Sequence, residues 1–386
     1  MSDFLLADNT AVGTAINEAT LKEQVQDLLI SLFPLDTPLQ QVCERINMNS
    51  TFMYQPIDTY NDITRVSSLF DASANFVTTN AKPEGFTYVS GTPQYPAKLK
   101  SVAEIQGRAF GVSGTDRAVA MWGITDRYVL EALKKTQAVV NGFEMSFHWS
   151  PGSSEFGVDL NTGGGALQSA RQTQGIVFWI AKSGLQRSKL GLGVATATDG
   201  HGNNFGTGGG ALNAGASSWC YDAAGLPLDQ AMFKDNLMAQ WYNITGRQAN
   251  KIGLCGAKIK NLFSQFALTA NGAINERTLS AASKEVIDTV DYYTTDFGRV
   301  GLNLDRYLNI SGQSVAIAQT TGSTTVPYDE VLIFMDPAYF KIGVLRPVTL
   351  ESIGKTRDAE DGQVTGEQAF VCLNPQGGAG IVNCLP

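Results

Sequence analysis

The spacing of apolar residues changes several times along the chain, and each change marks an element. Across residues 17–32, Leu21, Val25, Leu28 and Leu32 recur at spacings of four, three and four, the period of one helix face. The run SLFPLDTPL over residues 31–39 ends that helix, because Pro34 and Pro38 lack a backbone donor and hold the preceding residues extended. This reads as an arm with one sticky helical side. Residues 75–115 then turn strand-like, with two extended stretches near 76–89 and 99–112 around a turn containing Gly91, Pro93 and Pro96. Thr78, Thr79, Lys82, Glu84, Lys98 and Lys100 put polar groups on both faces of this long hairpin. A single copy would bury it poorly, so it is expected to lie on a neighbour.

The strongest helical pattern follows at residues 125–147, with Thr125 as N-cap and Val129, Leu133, Val140, Phe143 and Phe147 as its apolar stripe. At ~1.5 Å per residue it would run roughly 34 Å, the length of a domain spine. Residues 151–225 hold 17 of the 40 glycines, and residues 191–225 contain no Lys, Arg or Glu, which reads as loop-rich ground or an insertion. The string TGGGAL occurs there twice, too short an echo to define a repeat architecture.

Helical spacing returns at 226–242, and residues 251–266 read as a strand followed by a helix. Residues 287–293 and 299–304 alternate around Asp296, Phe297 and Gly298 as a hairpin. Residues 331–335 form an apolar strand stopped by Asp336 and Pro337, and residues 369–373 and 380–382 suggest a final hairpin.

Composition narrows the function. The 386 residues are 43% hydrophobic and 17% charged, within the globular range. Lys plus Arg number 28 and Asp plus Glu 36, giving a net charge of −8. That balance excludes proteins whose affinity rests on neutralising phosphates or anionic lipid. No stretch approaches the roughly 18 apolar residues of a membrane span, and the first residues lack a basic segment followed by an apolar run. A cytoplasmic setting is therefore expected. Cys43, Cys220, Cys255, Cys372 and Cys384 are dispersed without a C-x-x-C pair, as expected of reduced, buried thiols.

Catalytic signals are sparse. His148 follows an apolar stripe with no nucleophile motif beside it, and His201 lies in DGHGNNFG without the spacing of a calcium loop, so both read as structural. No nucleophile elbow, phosphate-binding loop or dinucleotide fingerprint is present. The acidic pairs Asp329-Glu330 and Glu360-Asp361 could serve glycoside hydrolysis, but sequence neighbours on polar turns are usually solvated. The five tryptophans read as core. No catalytic residue, metal ligand or cofactor site is assigned, which points to a structural or binding protein.

The order of arm, long hairpin, spine helix, mixed body and returning strand resembles the Johnson fold of tailed-bacteriophage major capsid proteins. The strings SLFPLDTPL, RAFGVSGTDRAV from Arg108, ARQTQGIVFWI from Ala170 and DFGRVGLNLDRYL from Asp296 are similar to one branch of that family. So are Glu144 near the end of its helix, DEVLIFMDPAYFKIGVLRP from Asp329 and KTRDAEDGQVTGEQAF from Lys355. The resemblance implies an α+β chain with an N-terminal arm (1–58), an E-loop hairpin and its base (59–113) and a peripheral domain (114–225). An axial domain (226–345) and C-terminal strands returning to the peripheral domain (346–386) complete it. It implies a non-enzymatic shell protein that assembles as hexamers and pentamers in the host cytoplasm and encloses double-stranded DNA without reading sequence. A portal, a scaffolding protein and a decoration protein are its expected partners. Leu21, Val25, Leu28, Lys82, Lys98, Lys100 and Arg108 are the expected assembly contacts. Some relatives join a lysine to a neighbour's asparagine with a glutamate's help; no such set matches here, so no cross-link is expected. An encapsulin-like compartment is the alternative within the fold, and a phage-associated glycan-acting enzyme the alternative outside it.

Overall fold

Two sheets and one long helix organise the chain, and the burial of their residues distinguishes them. The computed structural model describes residues 37–57, 84–85, 97–118, 126–153, 170–186, 218–245, 251–269, 292–319, 322–354 and 358–385. The helical stripe of residues 17–32, His201, Trp122 and both TGGGAL strings lie outside them.

The first sheet has four strands, in the order Glu44–Asn47, Phe340–Ile353, Ala359–Cys372 and Glu104–Ser113. The first pair is parallel and the others antiparallel. The spine helix, Arg127–Trp149, lies across it. Asp126, rather than the expected Thr125, caps this helix, its carboxylate accepting the Tyr128 N–H at 2.8 Å.

The stripe read from the sequence is only partly the buried one. Phe143 and Phe147 are fully buried, but Val129 and Leu133 are 52% and 59% exposed. The sheet approaches the side of the helix carrying Ala132, Val139 and Gly142. Small side chains allow that approach: a Cβ on Gly142 would collide with the Gln106 amide. Periodicity registers apolar residues and misses the small ones that admit a neighbouring side chain such as Gln106.

The second sheet has seven strands, in the order Tyr292–Thr295, Gly298–Leu304, Lys251–Cys255, Leu332–Met335, Gly378–Val382, Trp219–Asp222 and Leu185–Gln186. One face packs on Phe233, Trp241, Ile259 and Phe263 from the helical segments 232–245 and Ala257–Thr269. The other packs on the helix Ile176–Gly184 and on the core beneath the spine. Covered on both faces, its central strands are continuous apolar runs: every residue of Leu332–Met335 and Gly378–Val382 is buried.

This arrangement corrects the expected closing hairpin. Ala359–Cys372 belongs to the four-stranded sheet, whereas Gly378–Val382 inserts between Leu332–Met335 and Trp219–Asp222 in the seven-stranded one. The tight turn Pro375–Gly377, capped by Asn374, redirects the chain between sheets. A position covered on both faces favours a strand of apolar side chains, and the sequence GAGIV meets it. Of residues 346–386, expected to return to the spine, the last strand thus joins the other sheet.

The hairpin expected over residues 75–115 is also differently partnered where it is described. Ala97–Val102 pairs antiparallel with Phe52–Ile57, and Glu104–Ser113 pairs with Ala359–Cys372. Residues 76–89, the expected partner, lie outside the described residues except for Glu84 and Gly85. Residues 37–57, read as the end of an arm, form a short helix, a strand of the first sheet and one side of this ribbon.

An aromatic-rich core binds the spine to the four-stranded sheet and extends to Leu254, Ile333 and Met335 of the second sheet. Phe143, Phe147, Phe370 and Phe340 form a chain of ring contacts with centroids 5.7–6.0 Å apart. Trp149, Trp179, Trp219 and Trp241 are all buried, as the core reading required. Where the spine ends, Gly175 presses against it: a Cβ there would lie 2.5 Å from the His148 carbonyl oxygen and 2.8 Å from the Trp149 nitrogen. Both are backbone atoms and cannot rotate aside. Gly175→Ala is therefore expected to cost about 1–3 kcal/mol. Urea unfolding measures this, and an unchanged midpoint would show that helix Ile176–Gly184 slides without penalty.

Candidate functional site

The described surface places the expected contact residues on two neighbouring strands. Lys98 and Lys100 lie on the ribbon strand Ala97–Val102, opposite Pro56 and Tyr54. Lys98 is exposed, and the Lys100 ammonium sits 4.2 Å above the Phe52 ring. Their face of the ribbon also exposes Tyr54, whereas the opposite face buries Leu99 and Ser101 at home. The base of the hairpin is thus one-sided, contrary to the expectation that a single copy could not bury it. Period-two alternation was masked because Ser101 is polar yet buried. Arg108 is exposed on Glu104–Ser113, opposite Val364. Leu21, Val25, Leu28 and Lys82 lie outside the described residues.

The structure also assembles buried polar clusters that periodicity could not reveal. His148, fully buried near the end of the spine, contacts Asp305 through Nε2 at 2.6 Å and the Glu144 carbonyl through Nδ1 at 2.7 Å. Burial alone would lower the His148 pKa, but the Asp305 carboxylate, together with the charge and the carbonyl of Glu144, more than reverses this and raises it to about 9. Asp305 follows the last residue of Gly298–Leu304 and also accepts the Tyr307 N–H at 2.8 Å. Trp149 Nε1 donates to the Tyr307 carbonyl at 2.8 Å. The pair therefore fastens the spine to the end of a strand in the seven-stranded sheet.

One turn earlier, the Glu144 carboxylate accepts the backbone N–H groups of Leu39 at 2.6 Å and Gln40 at 3.3 Å. It holds the start of helix Pro38–Val42 against the spine, and burial raises its pKa. Glu104 accepts from Gln106, Ser146 and the Thr173 N–H, tying Glu104–Ser113 to the spine and to Gln172–Gln174. Glu367 receives Arg171 and Arg346 at 2.9 and 3.0 Å, locking Ala359–Cys372 to its surroundings. Each carboxylate is engaged in joining elements, and their sequence separations of up to 196 residues explain why no motif announced them.

The acidic pairs weighed as catalysts have other partners. Glu360 pairs with Arg117, and Asp329 with Lys258 at 2.5 Å. Glu360 and Asp361 are successive residues of one strand and point to opposite faces. Among the described residues no group of three or more His, Cys, Asp and Glu could hold a metal ion, and no helix is long and apolar enough to cross a membrane. All five cysteines are free and buried, and burial pushes the thiols of Cys43, Cys255 and Cys384 up to about 12, which keeps them protonated and unreactive.

A sheet spanned by a long helix, joined to a second sheet and carrying an outlying ribbon, is the architecture of a Johnson-fold shell protein. Solved structures share it. The chain matches "Capsid of native GTA particle computed with C5 symmetry" with a TM-score of 0.55 and 11% identity, covering 97% of this chain and 99% of that one. It matches "Capsid structure of the Cyanophage P-SCSP1u" with a TM-score of 0.53 and 9% identity, covering 95% and 93%. For "Asymmetric unit of bacteriophage PhiM1 mature capsid" the values are 0.53, 8%, 95% and 93%. No curated protein sequence matches the chain. The family model described as SU10 major capsid protein matches residues 8–384, and the chain belongs to that family. It is the major capsid protein of a tailed phage, a structural protein of the virion capsid and not an enzyme. The family match favours this reading over the encapsulin-like compartment.

Proposed function

We propose that copies of this chain close into rings of five and six, and that the rings form an icosahedral shell around double-stranded DNA. The carrying observation is the family match over residues 8–384, joined to a capsid fold covering 95–97% of the chain in the structures named above. In this reading the four-stranded sheet with its spine is the peripheral domain and the seven-stranded sheet the axial one. The ribbon of Phe52–Ile57 and Ala97–Val102 is the base of an E-loop reaching a neighbour. Lys98, Lys100 and Arg108, with Leu21, Val25, Leu28 and Lys82, contact neighbouring copies. A net charge of −8 suits a container that holds DNA without gripping it. Assembly takes place in the host cytoplasm with a separate scaffolding protein and a portal, and a decoration protein binds the finished surface.

Expression alone and with neighbouring genes, viewed by negative-stain electron microscopy, tests this. Closed shells or rings of five and six are the expected result, and a monodisperse monomer under every condition would overturn it. Denaturing gels of the particles are expected to show one band near 41.3 kDa, since no cross-link joins the subunits. Covalent multimers would refute that expectation.

A further inference from the structure

The outer strands of the seven-stranded sheet, Tyr292–Thr295, Gly298–Leu304 and Lys251–Cys255, border a cavity of about 580 Å³. That volume lies within the roughly 300–1,000 Å³ of small-molecule sites. Among the described residues that line it are Lys260 and Arg299 but no aspartate or glutamate, although the chain as a whole has a net charge of −8. Asp305, which follows Leu304 in the wall, contacts His148 at 2.6 Å instead.

Strand alternation places the polar groups. Val300 and Leu302 turn into the core with Phe233 and Phe263, so Arg299, Gly301 and Asn303 lie on the other face. The Arg299 guanidinium sits 3.8 Å from the centroid of the Tyr292 ring, a contact that fixes its plane and presents its N–H edge. Lys260 reaches the cavity from helix Ala257–Thr269, and its ammonium donates to the Leu302 carbonyl at 3.4 Å, which holds the charge at the rim. Lys251 lines the base, with its buried ammonium 3.8 Å from the centroid of the Trp241 ring and no hydrogen-bond partner. The remaining wall is apolar or aromatic: Ile252, Leu304 and the 61% exposed Tyr292.

We propose that this cavity binds a small molecule carrying a phosphate group on an aromatic body, a nucleotide in size and chemistry. Arg299 offers a planar fork to the phosphate oxygens and Lys260 a compact positive charge. Tyr292, Ile252 and Leu304 cover the aromatic body, and the Asn303 amide can both donate to it and accept from it. A DNA duplex suits the site less well. Its backbone is held by many cations spread along a surface, whereas here a few are gathered in one concavity of an acidic chain. The site is built by one copy, so it exists whether or not the copies form a shell.

Isothermal titration calorimetry of the unassembled full-length chain with adenosine monophosphate, inorganic phosphate and adenosine tests this. Adenosine monophosphate is expected to bind at one site per chain, at least about tenfold more tightly than inorganic phosphate or adenosine alone. Arg299→Gln is expected to weaken it at least about tenfold. Gly301→Leu keeps every charge but fills the space beside Tyr292, where a Cβ would already lie 3.4 Å from the ring, and is expected to weaken binding as much. Circular dichroism melts show which variants fold, and either folded variant decides the matter. An absence of saturable binding, a folded variant with the affinity of the unsubstituted chain, or a short DNA duplex bound as tightly as adenosine monophosphate would overturn the proposal. Because all are read on single subunits, each of these results leaves the capsid function standing.

Discussion

Asp305→Ala is expected to lower folding stability by about 3–5 kcal/mol, because it leaves the fully buried His148 without its charge partner. The same change removes the acceptor for the Tyr307 N–H, so the turn Arg306–Leu308 loosens along with the spine contact. Asp305→Asn separates charge from shape. With Asp305 present the His148 pKa is raised from 6.5 to about 9, so the folded chain binds its proton more tightly than the unfolded chain. The pair's contribution is complete below about pH 6.5, declines as pH rises, and is lost above about pH 9. Denaturant midpoints at about pH 6 and about pH 9.5 should therefore differ more for the unsubstituted protein than for Asp305→Asn. Parallel pH profiles for the two proteins would show that His148 is neutral in the fold and that the contact is an ordinary hydrogen bond.

Phe143→Ala is expected to cost about 3–5 kcal/mol, the range for deleting a fully buried aromatic ring. Phe143 stands where the spine crosses the four-stranded sheet, stacked on Phe147 at 6.0 Å and close against Gly366. Nothing nearby is free to fill the space. The informative comparison is Leu133→Ala on the same helix. Leu133 is 59% exposed, so its truncation should change the stability of the unassembled subunit by less than about 0.5 kcal/mol. Urea unfolding of both variants checks the orientation of the spine, and comparable losses would mean that Leu133 is buried and the helix rotated.

The buried clusters show how far local pattern can reach. The spine, the strand and helix at 251–269, the hairpin around Phe297 and the apolar strand before Asp336 were all legible, because each depends on periodicity and turn residues within one stretch. The structural role of His148 was legible too, from its position beside an apolar stripe. Its partner was not, since Asp305 lies 157 residues away and looks like any other polar residue before a turn. The engagement of Glu104, Glu144 and Glu367 was hidden for the same reason. A carboxylate's burial depends on which distant donors the fold brings to it. The expected assembly residues came from the helical stripe of Leu21, Val25 and Leu28 and from family resemblance, and their contacts belong to the proposal above.

By itself, the sequence determined the acidic, globular, cysteine-reduced character of the chain, its principal helices and strands, and the strings that tie it to capsid proteins. Those properties depend on composition or on residues within a few positions of one another. Tertiary structure decided which side of the spine is buried, which sheet receives Gly378–Val382, and what Ala97–Val102 pairs with. Strand pairing and helix rotation are settled by the fit of surfaces distant in sequence, where a small residue such as Gly142 or Gly175 decides as much as a large apolar one.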